Sequence, residues 1–320
     1  MIDFRYHIIS LMAVFLALAT GLVLGSTVLE KPVLEGTRKT ADDLRNKNAD
    51  LRQQLLVLQS QERASQGFVD AMAPKLLAGE LRGKRIVLVQ APGAESDQTE
   101  QVSAGVKQAG GTVTGTVTLK KGYIDKGQVG VLGGLTETLA KTTQIDVPAD
   151  AVPAERAGLL LGNALLTKDQ SKLGKSDDTS TGTLEAFEEA NFLDVGGSPS
   201  ERASMAIVVG PATAYAENQA SAGNNAIVTL AKHLDESGTG SVLTAPTDSA
   251  GPEGVVSALR GDDDVKKSVS TVDNLDAPSG FVVTVLALAL DAGGKPGQWG
   301  SGTGADNVAP TPAVSPTKSP

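Results

Sequence analysis

Side chains able to do chemistry are few in this chain and widely scattered. There are two histidines, His7 and His233, and no cysteine. Soft metal ions need clusters of Cys, Met or His. Outside the apolar N-terminal stretch only Met72, Met205 and His233 qualify, with Met205 expected in a strand core and His233 on an ordinary amphipathic helix. Any Ser-His-Asp triad would have to use His233. Asp262-Asp263-Asp264 carries the oxygen ligands of a hard cation, but the D-x-D-x-D-G spacing is missing and Lys266 and Lys267 follow, which fits a solvated loop. Glu185, Glu188 and Glu189 have the spacing of an exposed helix face. The turn Ala91-Pro92-Gly93-Ala94-Glu95 lies where a doubly wound fold binds phosphate, yet it lacks G-x-G-x-x-G and sets Glu95 against any anion. Gly238-Thr239-Gly240 precedes a strand instead of following one. These residues predict a non-enzymatic protein without a catalytic, cofactor or metal site.

The element most sharply written in the sequence is an anchor. Ile8 to Leu29 is an uncharged run of twenty-two residues, long enough as a helix to span a bilayer core. Its hydroxyls, on Ser10, Thr20, Ser26 and Thr27, can be satisfied by the helix's own carbonyls. A cleaved signal peptide is the alternative, with Ala17-Leu18-Ala19 as the cutting site, but the apolar run continues ten residues further. Arg5 stands before the run and Lys31, Arg38 and Lys39 after it, so the count of basic residues leaves the topology open. Ala13, Ala17, Gly21 and Gly25 recur every fourth residue and predict a flat face for close packing of a second helix.

From Leu34 to Met72 a heptad can be written with Leu34, Ala41, Asn48, Leu55, Glu62 and Val69 at a, and Thr37, Leu44, Leu51, Leu58, Ser65 and Met72 at d. The seam Leu44, Asn48, Leu51, Leu55 and Leu58 reads as a two-stranded coiled coil, because a buried Asn at a fixes register. One amphipathic helix packed on the globular domain is the other reading. Arg45, Lys47 and Arg52 fall at e and g, where a parallel homodimer sets Lys47 against Arg52 of its mate. Leu56 and Val57 widen the apolar surface beside them. Together these five predict a flank for an acidic coiled-coil partner.

Beyond Pro74 and Gly79–Gly83, strands and helices alternate. Strands are expected at 85–89, 112–118, 206–209, 241–244 and 268–272. Helices are expected at 97–109, 132–141, 154–166, 183–191, 224–235, 253–259 and 279–291. The pattern predicts a mostly parallel, three-layer α/β domain over 84–292. The full division is a short tail 1–7, a transmembrane anchor 8–29, a coiled coil 34–73, that domain, and a disordered Gly/Pro/Ser/Thr tail 293–320. A second polar loop, expected to be mobile, lies at 166–181. The net charge of −9 argues against nucleic acid as a partner. Aromatics make up 3%, so the core must be built of Ala, Val and Leu.

The opening Ile2-Asp3-Phe4-Arg5-Tyr6-His7, with Ser10-Leu11 and Ala13-Val14-Phe15-Leu16-Ala17-Leu18-Ala19, resembles the start of the mycobacterial copper transport protein B (MctB-like) family. Ser270-Thr271-Val272-Asp273-Asn274 before the last helix is similar to that family's C-terminal end. The resemblance implies an actinobacterial envelope protein whose bulk lies outside the cytoplasmic membrane, and two roles. One is copper transport, which keeps intracellular copper low, with copper as its cargo. The other, attached to the corynebacterial member SteB, is daughter-cell separation with a SteA-like partner and control of a cell-wall hydrolase. The residues themselves favour a dimeric protein-binding scaffold. One apolar helix cannot line a pore, and no soft-ligand cluster is present.

Overall fold

Short aliphatic runs form the centre of the domain. The structure, a computed structural model, describes residues 4–311, apart from the side chains of 26–37. The runs are β1 (Arg85–Gln90), β2 (Thr112–Leu119), β4 (Met205–Val209), β5 (Ser241–Thr244) and β6 (Ser270–Val272), with β3 (Leu193–Gly197) and β7 (Gln298–Trp299) at the edges. Their order in the sheet is β3-β2-β1-β4-β5-β6-β7, and only β3 runs antiparallel to its neighbour. The two middle strands, β1 and β4, are covered on both faces, which is why Ile86–Val89 and Ala206–Val209 read as unbroken apolar runs instead of alternating.

Alternate side chains of those strands enter two separate cores. Val87, Val89, Ala206 and Val208 point to one side. There they meet α3 (Val129–Thr143), α4 (Pro153–Leu165), α5 (Asp178–Glu189), α6 (Glu217–Ser237) and α7 (Val255–Gly261). Ile86, Leu88, Met205 and Ile207 point to the other side, against α2 (Ser96–Gln108) and α8 (Gly280–Asp291). This is the mostly parallel three-layer α/β fold expected from the alternation.

Three expectations are corrected. The edge strand β3 is absent from the expected set, since Leu-Asp-Val-Gly-Gly carries no alternation. It closes on β2 because Gly115 lets the backbone in: a Cβ there would lie 2.5 Å from Gly196 O and 2.6 Å from Pro199 Cδ. The tail expected to be disordered from Gly293 instead adds β7, and Gly300 N donates to Asn307 O at 2.9 Å. Buried hydrogen bonds hold this aliphatic-poor segment. Positions 312–320 lie outside the described residues. The polar loop at 166–181 is tied down as well. Asp177 caps α5 and receives Arg202 Nη1 at 2.6 Å and Nη2 at 2.9 Å, and Asp169 Oδ1 accepts Ser171 N at 2.8 Å.

The N-terminal part of the chain is a single helix, α1 (Phe4–Leu76), where a separate anchor and coiled coil were expected. Pro74 does not end it; Gly79 and Gly83, at φ +83° and +74°, turn the chain after Leu76. Residues up to Ala64 and those from Ser65 onward form two compact units. In the second unit Val69 and Ala73 are buried with Leu77 and Leu81 in the core on the α2/α8 side. The heptad written from Leu34 to Met72 therefore loses its last repeat to the domain, because Val69 at a is already covered.

Candidate functional site

Within α1, Phe4–Gly25 is long and apolar enough to cross a membrane, with a mean hydropathy of 2.5 and no part buried. Thr20 Oγ1 donates to Leu16 O at 2.6 Å and to Ala17 O at 3.1 Å, so the hydroxyl costs little in an apolar medium. Ala13 and Ala17 are exposed, and nothing lies within 4 Å of a Cβ placed on Gly21 or Gly25. At i, i+4 spacing the four lie along one side of the helix, open to the surroundings. The side chains of Ser26, Thr27, Leu29, Leu34 and Thr37 lie outside the described residues.

Further along, Leu44, Asn48, Leu51, Leu55 and Leu58 all lie exposed, Leu44 at 68% and Leu58 at 59%. Full exposure of regularly spaced leucines removes the favourable term that normally accompanies Leu in a folded chain.

The five flank residues do not form one surface. Arg45, Arg52 and Leu56 line a shallow groove with Ala41, Leu44 and Asn48. Lys47 and Val57 lie outside it, because at 100° per residue positions g and c fall on the other side of the seam from e and b. Arg45 also reaches Asp42 Oδ1 at 3.3 Å, an exposed i,i+3 pair of small energetic weight. The basic edge beside the groove is therefore Arg45 and Arg52, with Lys47 opposite.

The residues considered for chemistry are placed as follows. His233 is buried on α6, its Nδ1 2.7 Å from Glu236 Oε2, and its Nε2 has no hydrogen-bond partner. Met205 lies in the sheet core. Asp262 Oδ1 accepts Asp264 N and Val265 N, while Asp263 and Asp264 pair with Lys266 and Lys267. Glu188 Oε1 accepts Val195 N at 3.3 Å. Among the described residues, no three His, Cys, Asp or Glu side chains converge as a metal site.

Three carboxylates escape the sequence reading. Asp291 Oδ2 accepts from Ser270 N and Oγ, and Oδ1 accepts from Ser241 N. Burial raises the pKa of Asp291 to about 7, with the nearby Asp235 a lesser cause. Asp235 is itself raised to about 6, chiefly by burial. Asp273 is fully buried against Arg260. Nothing local in the sequence marks these three, since their partners lie on other strands and loops.

Fold and helix together define an α/β domain carried on a helix fit to anchor it in a membrane. The chain matches the family described as "Copper transport outer membrane protein, MctB" over residues 1–310. It is 32% identical over 316 residues to the copper transporter MctB of Mycobacterium tuberculosis, covering 96% of this chain and 99% of that one. Against the copper transporter MctB of Mycobacterium leprae it is 32% identical over 319 residues, with the same coverage. The chain belongs to the MctB family.

Proposed function

We infer that this chain is a single-pass, non-enzymatic envelope scaffold. Its apolar helix holds it in the membrane with the bulk of the chain extracytoplasmic, and its heptad pairs with a second copy. It takes part in the copper transport for which its relatives are named, and it does so through protein contacts. The observation that carries this reading is the exposed leucine stripe around Asn48. An apolar seam with one polar a position is the pattern of a two-stranded coiled coil. Direct handling of copper would call for soft ligands, and the sequence offers no Cys and two His.

A second reading, daughter-cell separation by binding a cell-wall hydrolase and a SteA-like partner, draws on the same surface. It is favoured by the basic edge Arg45 and Arg52 beside the groove, which suits an acidic helix.

The absence of native cysteine gives a clean test. In membranes, Leu51→Cys at a d position should form an oxidised covalent dimer, and Gln53→Cys at the outward f position should not. Equal crosslinking at both, or none at Leu51→Cys, would remove the dimer. Crosslinking pull-down from cells then separates the two roles, by recovering either metal-handling or cell-wall proteins. Stoichiometric Cu(I) binding by the purified chain would overturn the indirect route for copper.

A further inference from the structure

The strand order reverses beside β1. The chain passes from β1 through α2 to β2 on one side, whereas β4 lies on the other. In an open α/β sheet, loops leaving two such strands part at the carboxyl ends and leave a crevice that commonly takes the ligand. Here that crevice is a cavity of ≈ 340 Å³. Pro92 and Gly93 after β1 form one wall, and Pro211 with Thr213, Ala214, Tyr215 and Ala216 after β4 form another. Lys121, Ile124 and Asp125 after β2 complete it. Such a volume lies at the small end of ligand sites.

Its walls are fixed before anything binds. Ala91 N donates to Val209 O at 2.8 Å and Ala212 N to Gly93 O at 2.9 Å, joining the two loops. Behind them the buried Gln90 amide donates to Ala94 O and accepts from Thr118 Oγ1, each at 3.2 Å. Gly93 stands at φ +86°, a backbone conformation that side chains resist.

Several polar lining groups remain uncommitted. The Tyr215 hydroxyl is buried without a hydrogen-bond partner. Lys121 is exposed and makes no ion pair or side-chain hydrogen bond among the described residues. Asp125 uses Oδ1 to accept Gly127 N at 2.8 Å, and its Oδ2 makes no hydrogen bond among the described residues. Lys121 and Asp125, one basic and one acidic residue, thus line the same cavity together with Pro92, Ile124 and Pro211. A phosphate would bring surplus negative charge to a lining whose charges already balance. A molecule carrying one charge of each sign around an apolar body matches it.

We propose that the switch-point cavity binds a small zwitterion of the amino-acid class, its carboxylate toward Lys121, its ammonium toward Asp125, and its body against Pro92, Ile124 and Pro211. This site is independent of the coiled-coil reading.

The test uses the full chain in detergent and ligand-observed NMR with glycine, alanine, serine, leucine and phenylalanine at millimolar concentration. At least one should bind, and its N-acetyl and amide derivatives should each bind at least about tenfold more weakly. Lys121→Met should weaken binding by at least about the same factor, with the melting temperature unchanged. Ala214→Trp, at an exposed lining position, should block the cavity. No binding by any of the five would overturn the proposal. So would equal binding by either blocked derivative or by Lys121→Met.

Discussion

Arg260 Nη1 lies 2.6 Å from Asp273 Oδ2, and the two side chains are 5% and 0% exposed. The pair serves to hold the C-terminal segment. Arg260 also donates to Trp299 O and Thr303 O, and Asp273 accepts from Ser301 N and Gly302 N. A segment with almost no apolar side chains is thereby fixed by charge-assisted hydrogen bonds.

Removing one partner should expose that dependence. Asp273→Ala leaves a buried guanidinium uncompensated and should destabilise the domain by about 3–5 kcal/mol. Chemical denaturation measures the loss, and limited proteolysis should show new cutting between 293 and 311. A variant as stable and as resistant as the parent would mean that the pair contributes nothing net.

Stability should depend on pH through Asp291 and Asp235. Both carboxyls are raised above 3.8, to about 7 and about 6. The folded state therefore keeps protons that the unfolded chain has already released. The stability they contribute is fully present below about pH 4 and is lost as pH rises through 6 and 7. Melts across this window should show the decline, and Asp291→Asn should flatten it. A slope unchanged in the variant would place the titration elsewhere.

The heptad prediction separates assembly from folding. Leu44→Asp with Leu51→Asp alters two exposed positions, so the domain's melting should stay within about 0.5 kcal/mol of the parent in stability terms. Sedimentation of the full chain in detergent should shift from dimer to monomer. If the parent is itself monomeric at tens of micromolar, the leucine stripe belongs to a different partner.

Charge reversal at the flank should act on partners alone. Arg45, Lys47 and Arg52 changed to Glu give up interactions worth at most about 1 kcal/mol each, so the fold should persist. Binding of an acidic envelope partner should be lost, with the phenotype of a gene deletion. Because Arg45 and Arg52 share the groove while Lys47 lies across the seam, the Arg pair alone should produce most of the defect. Full complementation by the triple variant would reduce the flank to a solvated surface.

The apolar N-terminal helix and the strand-helix alternation were legible because each is written in neighbouring residues. Hydropathy over twenty residues, period-3.6 stripes and short Val/Ile/Leu runs are local signals. The strand at Ser241–Thr244 was read to the residue, and the helix ending at Asp291 to one residue.

What the sequence by itself determined was therefore the central strands and the helices around them, and the residue pattern along the long helix. Only the tertiary structure decided that Leu193–Gly197 joins β2 at the sheet edge, and that the segment after Gly293 returns to the sheet. It alone brought Asp273 to Arg260, Asp291 to Ser270, and Lys121 to the loops after β1 and β4. These contacts join residues distant in sequence, and their energy comes from burial and hydrogen bonding that exist only once the sheet has assembled. A local pattern specifies which segments will be helix or strand; which charges end up facing one another depends on strand order, which no local pattern encodes.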